Sequence, residues 1–284
     1  PLVNSSLPVR PHWWQWPTIL SLDAPVVCLV WQALLARTTG ASLRWPHAVV
    51  LAASVWLAYA ADRLLEGWRL DWRFVRTQRH HFYQRQRFVV AAAWLLILAA
   101  NVTMAVTTMD ARELVRGLLL VAPVLVYLLS HQFLHRASRW RAPKELIVAG
   151  LLTSGVAVFL WPVSSILNLA AGLGTFAVVS FVNCALISSW EREVDRSHGQ
   201  TSLALDSDQA ARLIRWLPWL AALAGGASIA VLGSAPGVPI ACGILSAILM
   251  GLLDRAERRL GWAAARVLAD VALLTPIAPL LWIA

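Results

Sequence analysis

Residues 189–204 read SWEREVDRSHGQTSLA and follow directly on an apolar run that extends from residue 165 to residue 188. Glu191 and Asp195 are four positions apart, so a helix places both carboxylates on one face, one turn apart. Ionisable groups within or beside membrane-spanning helices are costly and usually have a function. This acidic pair therefore marks one half of a candidate site.

A second acidic pair ends another apolar run. Residues 59–66 read YAADRLLE, in which Asp62 and Glu66 have the same four-residue spacing. The sequence thus contains two matched carboxylate pairs, each at the end of a long apolar segment. Because only 15 acidic residues are present in the whole chain, this repetition favours a shared role for the two pairs.

The composition indicates a polytopic membrane protein. The chain has 284 residues, of which 59% are hydrophobic and only 14% are charged, whereas soluble domains carry about 25% charged residues. A soluble enzyme and a disordered tail are excluded on these grounds. The three cysteines lie inside apolar runs and are too few for a disulfide framework. We expect one transmembrane domain over residues 1–284.

Apolar segments long enough to cross a bilayer, about 20 residues each, recur along the chain. Breaks at Pro, Gly and charged clusters predict an all-α bundle of nine transmembrane helices. The predicted spans are 18–36, 47–66, 88–107, 113–131, 145–162, 165–188, 211–231, 236–253 and 265–283.

The basic residues predict the orientation of these spans. Of the 24 Lys and Arg residues, 20 lie in the N-terminal segment and in alternate connections, and cytoplasmic loops are the ones enriched in these residues. We therefore expect a cytoplasmic N-terminus and a C-terminus on the outer side, in a membrane such as the bacterial inner membrane. Both acidic segments, 62–87 and 189–204, then face the cytoplasm. The net charge of +9 is thereby explained without nucleic acid as a partner.

The four carboxylates suit a hard divalent cation. Mg²⁺ prefers oxygen ligands and is usually bound by one or two carboxylates together with substrate phosphates. Two facing pairs would supply such ligands. The alternative is that these acids only end helices at the membrane surface, where they would pair with Arg63, Arg192 and Arg196.

The segment that begins at Glu191 resembles the second signature of the UbiA superfamily of intramembrane prenyltransferases. That signature reads D-x-x-x-D, followed by a Gly four residues on and a K/T-S-hydrophobic-A stretch. Gly199, Ser202 and Ala204 fall in register with it, while Glu191 stands in place of the first Asp.

The segment that begins at Asp62 resembles part of the first signature, N-D-x-x-D-x-x-x-D. Glu66 keeps a four-residue spacing from Asp62, and Asp71 lies beyond. The sequence departs from the signature at Ala61, which precedes Asp62 where the family has Asn. The family places its two acidic motifs at the cytoplasmic ends of helices two and six, which are the positions that the predicted spans give here.

The resemblance implies a fold and a reaction. In the family, Mg²⁺ held by both motifs binds the diphosphate of a polyprenyl donor, and the allylic cation alkylates a hydrophobic, usually aromatic, acceptor in the membrane. Carried over, this gives Asp62, Glu66, Glu191 and Asp195 as metal ligands and catalytic residues. Two alternatives stay open with the same fold: a terpene cyclase, and a non-catalytic membrane subunit or lipid-binding scaffold. A transporter is disfavoured because no internal repeat is present.

Basic residues on the cytoplasmic side are candidate partners for the diphosphate, although arginines there also set orientation and contact anionic lipid. Lys144 opens a predicted span as Pro143-Lys144-Glu145, similar to the start of the family's fifth helix. The candidates are Arg69, Arg73, Arg139, Arg141 and Lys144.

Four further polar residues are candidates for binding the substrates. Asn183 lies eight residues before Glu191 and so on its helix face, and His198 lies four residues before Ser202. Asp270 is inside the ninth predicted span and Asp23 near the start of the first. Either acid could orient an acceptor or act as a base, or instead bond an arginine or a helix end within the membrane.

Overall fold

The computed structural model describes residues 10–69, 77–130, 143–198, 202–232 and 237–282, without the side chains of Arg69, Ser197, His198 and Asp206. Within these ranges the chain is helical with no β-strand, which confirms the all-α prediction. A turn of 3₁₀ helix, Trp13–Gln15, comes first.

The α-helices are numbered in chain order. The first eight are α1 Trp16–Ile19, α2 Asp23–Thr39, α3 Trp45–Arg69, α4 Gln78–Arg85, α5 Arg87–Thr108, α6 Ala111–Leu129, α7 Lys144–Ala157 and α8 Ile166–Trp190. The others are α9 Arg192–His198, α10 Leu203–Asp206, α11 Asp208–Ile214, α12 Leu217–Leu232, α13 Gly237–Leu260, α14 Trp262–Ala272 and α15 Ile277–Trp282.

Each predicted span contains a helix, but not every helix is long and apolar enough to cross a membrane. Five segments of the described chain are long and apolar enough to do so: α3, α5, α8, α13 and the stretch Trp262–Trp282, which holds α14 and α15. Two bent pairs raise the number to seven if each is one span: Trp13–Ile19 with α2, at 78°, and α11 with α12, at 44°.

The helices in the fourth and fifth predicted spans, α6 and α7, are not among the segments that are long and apolar enough to cross a membrane. α6 carries Arg112, Glu113 and Arg116 in its first two turns, and α7 has only 14 residues, fewer than the roughly 20 that cross the hydrocarbon core. The described residues therefore support five to seven spans, and nine stays a prediction.

Helix α8 lies at the centre of the bundle and packs against α2, α7 and α13. Trp31 of α2 is fully buried, its ring 5.2 Å from that of Phe176 on α8, and its indole N–H donates to the Leu273 carbonyl at 2.9 Å. Gly172 permits the close approach of α2 and α8, since a Cβ there would lie 2.3 Å from Leu35 Cδ2. Small residues at such crossings are typical of membrane bundles.

The outer surface of α5 and α6 is apolar. Phe88, Leu96, Leu118 and Leu119 are each about 70% or more exposed. Lipid chains cover such surfaces in a bilayer, whereas soluble proteins rarely expose large contiguous apolar patches. Together with the apolar helices, this surface indicates an integral membrane protein.

Candidate active site

A cavity of about 350 Å³ lies among α3, α6, α7, α8 and α14, with the start of α2 and parts of α4 and α9 completing its wall. Along α3 its lining residues recur every three or four positions, at Leu51, Val55, Tyr59, Asp62 and Glu66. This recurrence is one face of a helix. At 1.5 Å per residue, Leu51 and Glu66 are about 22 Å apart along the axis, so the cavity is long.

The cavity has two chemically distinct ends. We call the end at the C-terminus of α3 the polar end, lined by Asp62, Arg63, Glu66, Arg79, His80, Lys144, Glu145, Glu191, Asp195 and Arg266. The opposite, apolar end is lined by Val50, Leu51, Val55, Gly117, Leu120, Val121, Val124, Leu152, Gly155, Val158 and Phe159.

Glu66 is buried at the polar end between two nitrogen donors. Its Oε2 accepts from Arg63 Nη1 at 2.7 Å and bonds His80 Nε2 at 3.0 Å. Burial lowers the pKa of His80 to about 4, even beside this carboxylate, so the ring is neutral at pH 7. Because a carboxylate only accepts, Nε2 of the neutral ring carries the proton and Nδ1 accepts from the Thr77 hydroxyl.

Glu191 holds the cations of the opposite wall. Its Oε1 accepts from Arg266 of α14, and its Oε2 lies 3.9 Å from Arg79 Nη2. Burial raises the pKa of Glu191, but the charges of Arg266 and Arg79 outweigh it and lower the pKa to about 2. Burial also lowers the pKa of Arg79 to about 9, so both partners are charged at neutral pH.

Asp195 and the start of α7 connect the second acidic segment to the fifth predicted span. Asp195 Oδ2 accepts from Lys144 Nζ at 3.2 Å. Beside it, the backbone N–H of Leu203 donates to Glu145 Oε1 at 3.1 Å. The residues that begin α7 therefore hold the 202–204 stretch against the acidic pair.

Three guanidinium groups retain unused donors at the polar end. The Nε atoms of Arg63, Arg79 and Arg266 are buried without a hydrogen-bond partner in the part of the chain that the structure describes. Buried polar groups in native structures nearly always have partners. Donors on three cations that line one cavity are suited to an oxygen-rich anion.

The middle of the cavity carries a second polar group. Asn183 Nδ2 donates to Asp270 Oδ1 at 2.9 Å, and Asp23 and Tyr59 line the same stretch of wall. Asn183 is two turns before Glu191, which directly follows α8, and Asp270 is one turn from Arg266 on α14. These residues therefore lie deeper in the bundle than the polar end.

The polar end fits Mg²⁺ by the chemistry and charge of its donors. Among the described residues, no three His, Cys, Asp or Glu side chains converge on a common point, but Mg²⁺ commonly takes one or two carboxylates and completes its shell with phosphate and water. The lining holds five carboxylates against four cations, and His80 is neutral. Among the described residues, an anionic diphosphate therefore lacks a net positive counter-charge there unless a metal cation accompanies it.

The structure brings most of the sequence-predicted site residues together. Eight of them line the one cavity: Asp23, Asp62, Glu66, Lys144, Asn183, Glu191, Asp195 and Asp270. Arg73, Arg139 and Arg141 lie outside the described residues, as do the side chains of Arg69 and His198.

Five residues of the polar end were not predicted as site residues: Arg63, Arg79, His80, Glu145 and Arg266. Arg266 and Arg79 were counted only as charges that set orientation, and His80 was not linked to Glu66. The spacing of Arg266 and Asp270, four positions on one helix, was a usable signal for the former. No spacing links His80 or Arg79 to their partners, because α4 reaches the site only through tertiary packing.

No protein-family profile matches this chain, and neither does any curated protein sequence. Among solved structures, the chain is similar to the apo form of a UbiA homolog from Aeropyrum pernix K1, with a TM-score of 0.58 and 16% sequence identity. The match covers 92% of this chain and 98% of that one. The likeness therefore extends over the whole bundle and confirms the predicted UbiA-type fold.

Proposed function

We propose that this chain, which has the fold of a UbiA homolog, is an intramembrane transferase that moves a polyprenyl group from a polyprenyl diphosphate to a hydrophobic acceptor, with Mg²⁺ as cofactor. The observation that carries the proposal is the joining of both acidic segments at the polar end of one long cavity whose opposite end is apolar. A molecule with a diphosphate head and a hydrocarbon tail matches these two ends.

The carboxylates of the polar end are in contact with basic side chains. Glu66 and Glu191 each contact two of them, so they position Arg63, His80, Arg79 and Arg266. Asp195 contacts Lys144, and Asp62 is 3.8 Å from Arg63. We assign all four carboxylates as candidate ligands for Mg²⁺. Bound there, the metal would neutralise the charge of the leaving diphosphate.

The protein's own residues supply the rest of the chemistry. The guanidinium groups of Arg63, Arg79 and Arg266, whose side chains line the polar end, would donate to diphosphate oxygens, on which negative charge grows as the C1–O bond breaks. The apolar end holds the hydrocarbon chain and keeps water from the allylic cation.

Pyrophosphate release from geranylgeranyl diphosphate tests the proposal. We expect purified protein with Mg²⁺ to release pyrophosphate, and Asp62→Ala and Asp195→Ala each to reduce release by at least about 100-fold. Asp208→Ala is the matched control, because Asp208 is 84% exposed in an ion pair with Arg192 and does not line the cavity.

The outcome also separates the alternatives that share this fold. Release that requires no acceptor and yields a cyclic hydrocarbon would identify a terpene cyclase. Absence of release with donors of every chain length would refute both enzymes and leave the non-catalytic subunit or scaffold. Full activity of Asp195→Ala would refute the site assignment.

A further inference from the structure

A cluster of polar side chains lies just beyond the apolar end of the cavity. Leu51 on α3 and Gly117 on α6 are lining residues at this end. One helical turn before each of them, on the same helix face, lie His47 and Glu113. Neither of these two side chains lines the cavity, and His47 Nε2 is 3.0 Å from Glu113 Oε1. The helices α3 and α6 are therefore joined directly behind the lining residues.

Arg44 and Asp110 hold the two members of this contact in place. Arg44 Nη2 donates to Glu113 Oε2 at 2.9 Å, and the Arg44 backbone N–H donates to His47 Nδ1 at 3.2 Å. The Asp110 backbone N–H also donates to Glu113 Oε2, at 2.9 Å. Because Nδ1 of His47 accepts, Nε2 carries the proton that Glu113 accepts. His47 is thus held at both ring nitrogens and is only 2% exposed.

The His47 ring supports an aromatic ring of the cavity wall. Phe159, in the turn that follows α7, lines the apolar end. It stacks on His47 with the ring centroids 4.8 Å apart and the planes 4° from parallel. His47 covers one face of Phe159, so Phe159 cannot move towards α3 without displacing a side chain that is hydrogen-bonded on both nitrogens. The His47–Phe159 stack therefore has a fixed position in the packed interior.

This stack lies in the direction in which a bound prenyl chain extends. The cavity-facing row of α3 runs from Glu66 at the polar end to Leu51 at the apolar end, and His47 is the next position in that row. A hydrocarbon chain attached to a diphosphate at the polar end therefore runs towards the stack. Once the chain reaches the rings, a further isoprene unit has to displace them, and overpacking of this kind is destabilising.

We propose that the His47–Phe159 stack is the closed end of the prenyl-chain site and sets the longest polyprenyl diphosphate that the protein binds tightly. Phe159 contacts the end of the chain, whereas His47, held by Glu113 and Arg44, is a positioning residue. This inference rests on the proposed transferase function and defines its donor as a polyprenyl chain of limited length.

Binding of donors of graded length tests the closed end. We would titrate detergent-purified protein calorimetrically, in the presence of Mg²⁺, with prenyl thiolodiphosphates that lengthen by one isoprene unit at a time from geranyl to hexaprenyl. Sulfur replaces the oxygen on C1 in these analogues, so that binding is measured without cleavage. In the wild type, affinity should rise with length to an optimum and fall by at least about 10-fold for the next longer chain.

Substitutions of Phe159 should move this optimum in opposite directions. Phe159→Ala removes the ring and should move the optimum to a chain at least one unit longer, whereas Phe159→Trp adds volume and should move it to a shorter chain. A general loss of packing would not produce opposite shifts. Phe181→Ala is the matched control, because Phe181 does not line the cavity, and it should keep the wild-type optimum.

A substitution of His47 tests the positioning role. In His47→Ala the ring of Phe159 loses its support, so the discrimination against the next longer chain should fall from at least about 10-fold to below about threefold. Geranyl thiolodiphosphate, which is too short to reach the stack, should bind this variant as tightly as the wild type. His12→Ala, at an exposed residue outside the cavity, should keep the full discrimination.

Tight binding of every longer chain by the wild type would overturn the inference. An unchanged optimum in both Phe159 variants, or full discrimination in His47→Ala, would do the same. If the protein discriminates by length but never releases pyrophosphate from the corresponding diphosphates, the transferase function is refuted while the closed end stands. Pyrophosphate release without any length limit refutes the closed end alone, and absence of binding at every length refutes both.

Discussion

The two ends of the cavity are built from different interactions. The polar end consists of buried charges, several of which are paired with a charge from another part of the chain, such as Glu191 with Arg266 or Asp195 with Lys144. The apolar end consists of aliphatic side chains, the ring of Phe159 and two glycines, Gly117 and Gly155, that leave space between helices. Charge balance therefore determines the polar end, whereas side-chain volume determines the apolar end. A single substitution should have very different consequences at each.

The largest effect on stability is expected at the polar end. Glu191→Ala leaves Arg266 and Arg79 buried beside a missing partner, and breaking a buried pair in this way costs about 3–5 kcal/mol. Denaturant unfolding in detergent would measure the loss. The control is Glu193→Ala, two residues away, because Glu193 and Arg196 form an ion pair with side chains 80% and 58% exposed and such pairs contribute little. Equal stability of the two variants would show that Glu191 does not hold the cations.

The apolar end should instead respond to volume. Gly155 faces the cavity, and a Cβ there would lie 3.5 Å from Leu51 Cδ1, an ordinary contact. Gly155→Phe should therefore fold but fill the space, and weaken binding of geranylgeranyl diphosphate by about 10–100-fold while dimethylallyl diphosphate binds as before.

Gly150→Phe provides the matched control on the same helix. Gly150 is exposed, does not line the cavity, and has no neighbouring atom within 4 Å of a built Cβ. Binding of both diphosphates should be unchanged in this variant. If Gly155→Phe weakens the short and the long donor equally, the apolar end does not hold the prenyl chain.

A smaller effect is expected when the pH is lowered, because the stability of the folded protein depends on the titration of His80 at the polar end. The pKa of His80 is about 4 in the folded protein and 6.5 in a model compound, so between these values the unfolded chain binds a proton that the native chain does not. Native stability should therefore fall as the pH drops from 6.5 towards 4, by about 2–3 kcal/mol. The pKa of Glu191 is lowered to about 2, so its contribution is lost only at more acidic pH.

Thermal unfolding without divalent cations at pH 7 and pH 4.5 would measure this contribution. His80→Gln keeps an amide donor for Glu66 but does not titrate in this range. The decrease in Tm on acidification should be smaller by a few degrees in this variant than in the wild type. An identical decrease in both proteins would assign the acid sensitivity to other groups.

Helix positions were predictable because apolar runs are local features of the sequence. The breaks within them were not. α1 and α2 are separated at Ser21, whose φ of 57° is left-handed and whose hydroxyl bonds Tyr83 of α4 at 3.2 Å. That contact joins residues 62 positions apart, so no local pattern could have indicated the bend.

The acidic residues of the candidate site were predictable from the sequence, whereas the basic residues that pair with them were not. Carboxylates at the ends of apolar runs are conspicuous because acids are rare in this chain, and four-residue spacing assigns each pair to a helix face. The matching cations are not conspicuous, because most of the 24 basic residues are equally suited to setting orientation. Arg79 and Arg266 became distinguishable from the others only when α4 and α14 were placed against Glu191.

The sequence by itself determined that this chain is an all-α membrane protein with two acidic pairs at the ends of apolar segments, because hydropathy and helical periodicity are set by neighbouring residues. Tertiary structure alone decided that Arg266 holds Glu191 and Lys144 holds Asp195, and that Asn183 and Asp270 meet in the middle of the same cavity. The last contact joins α8 and α14, which are far apart along the chain. Only the packing of these helices brings their side chains within hydrogen-bonding distance.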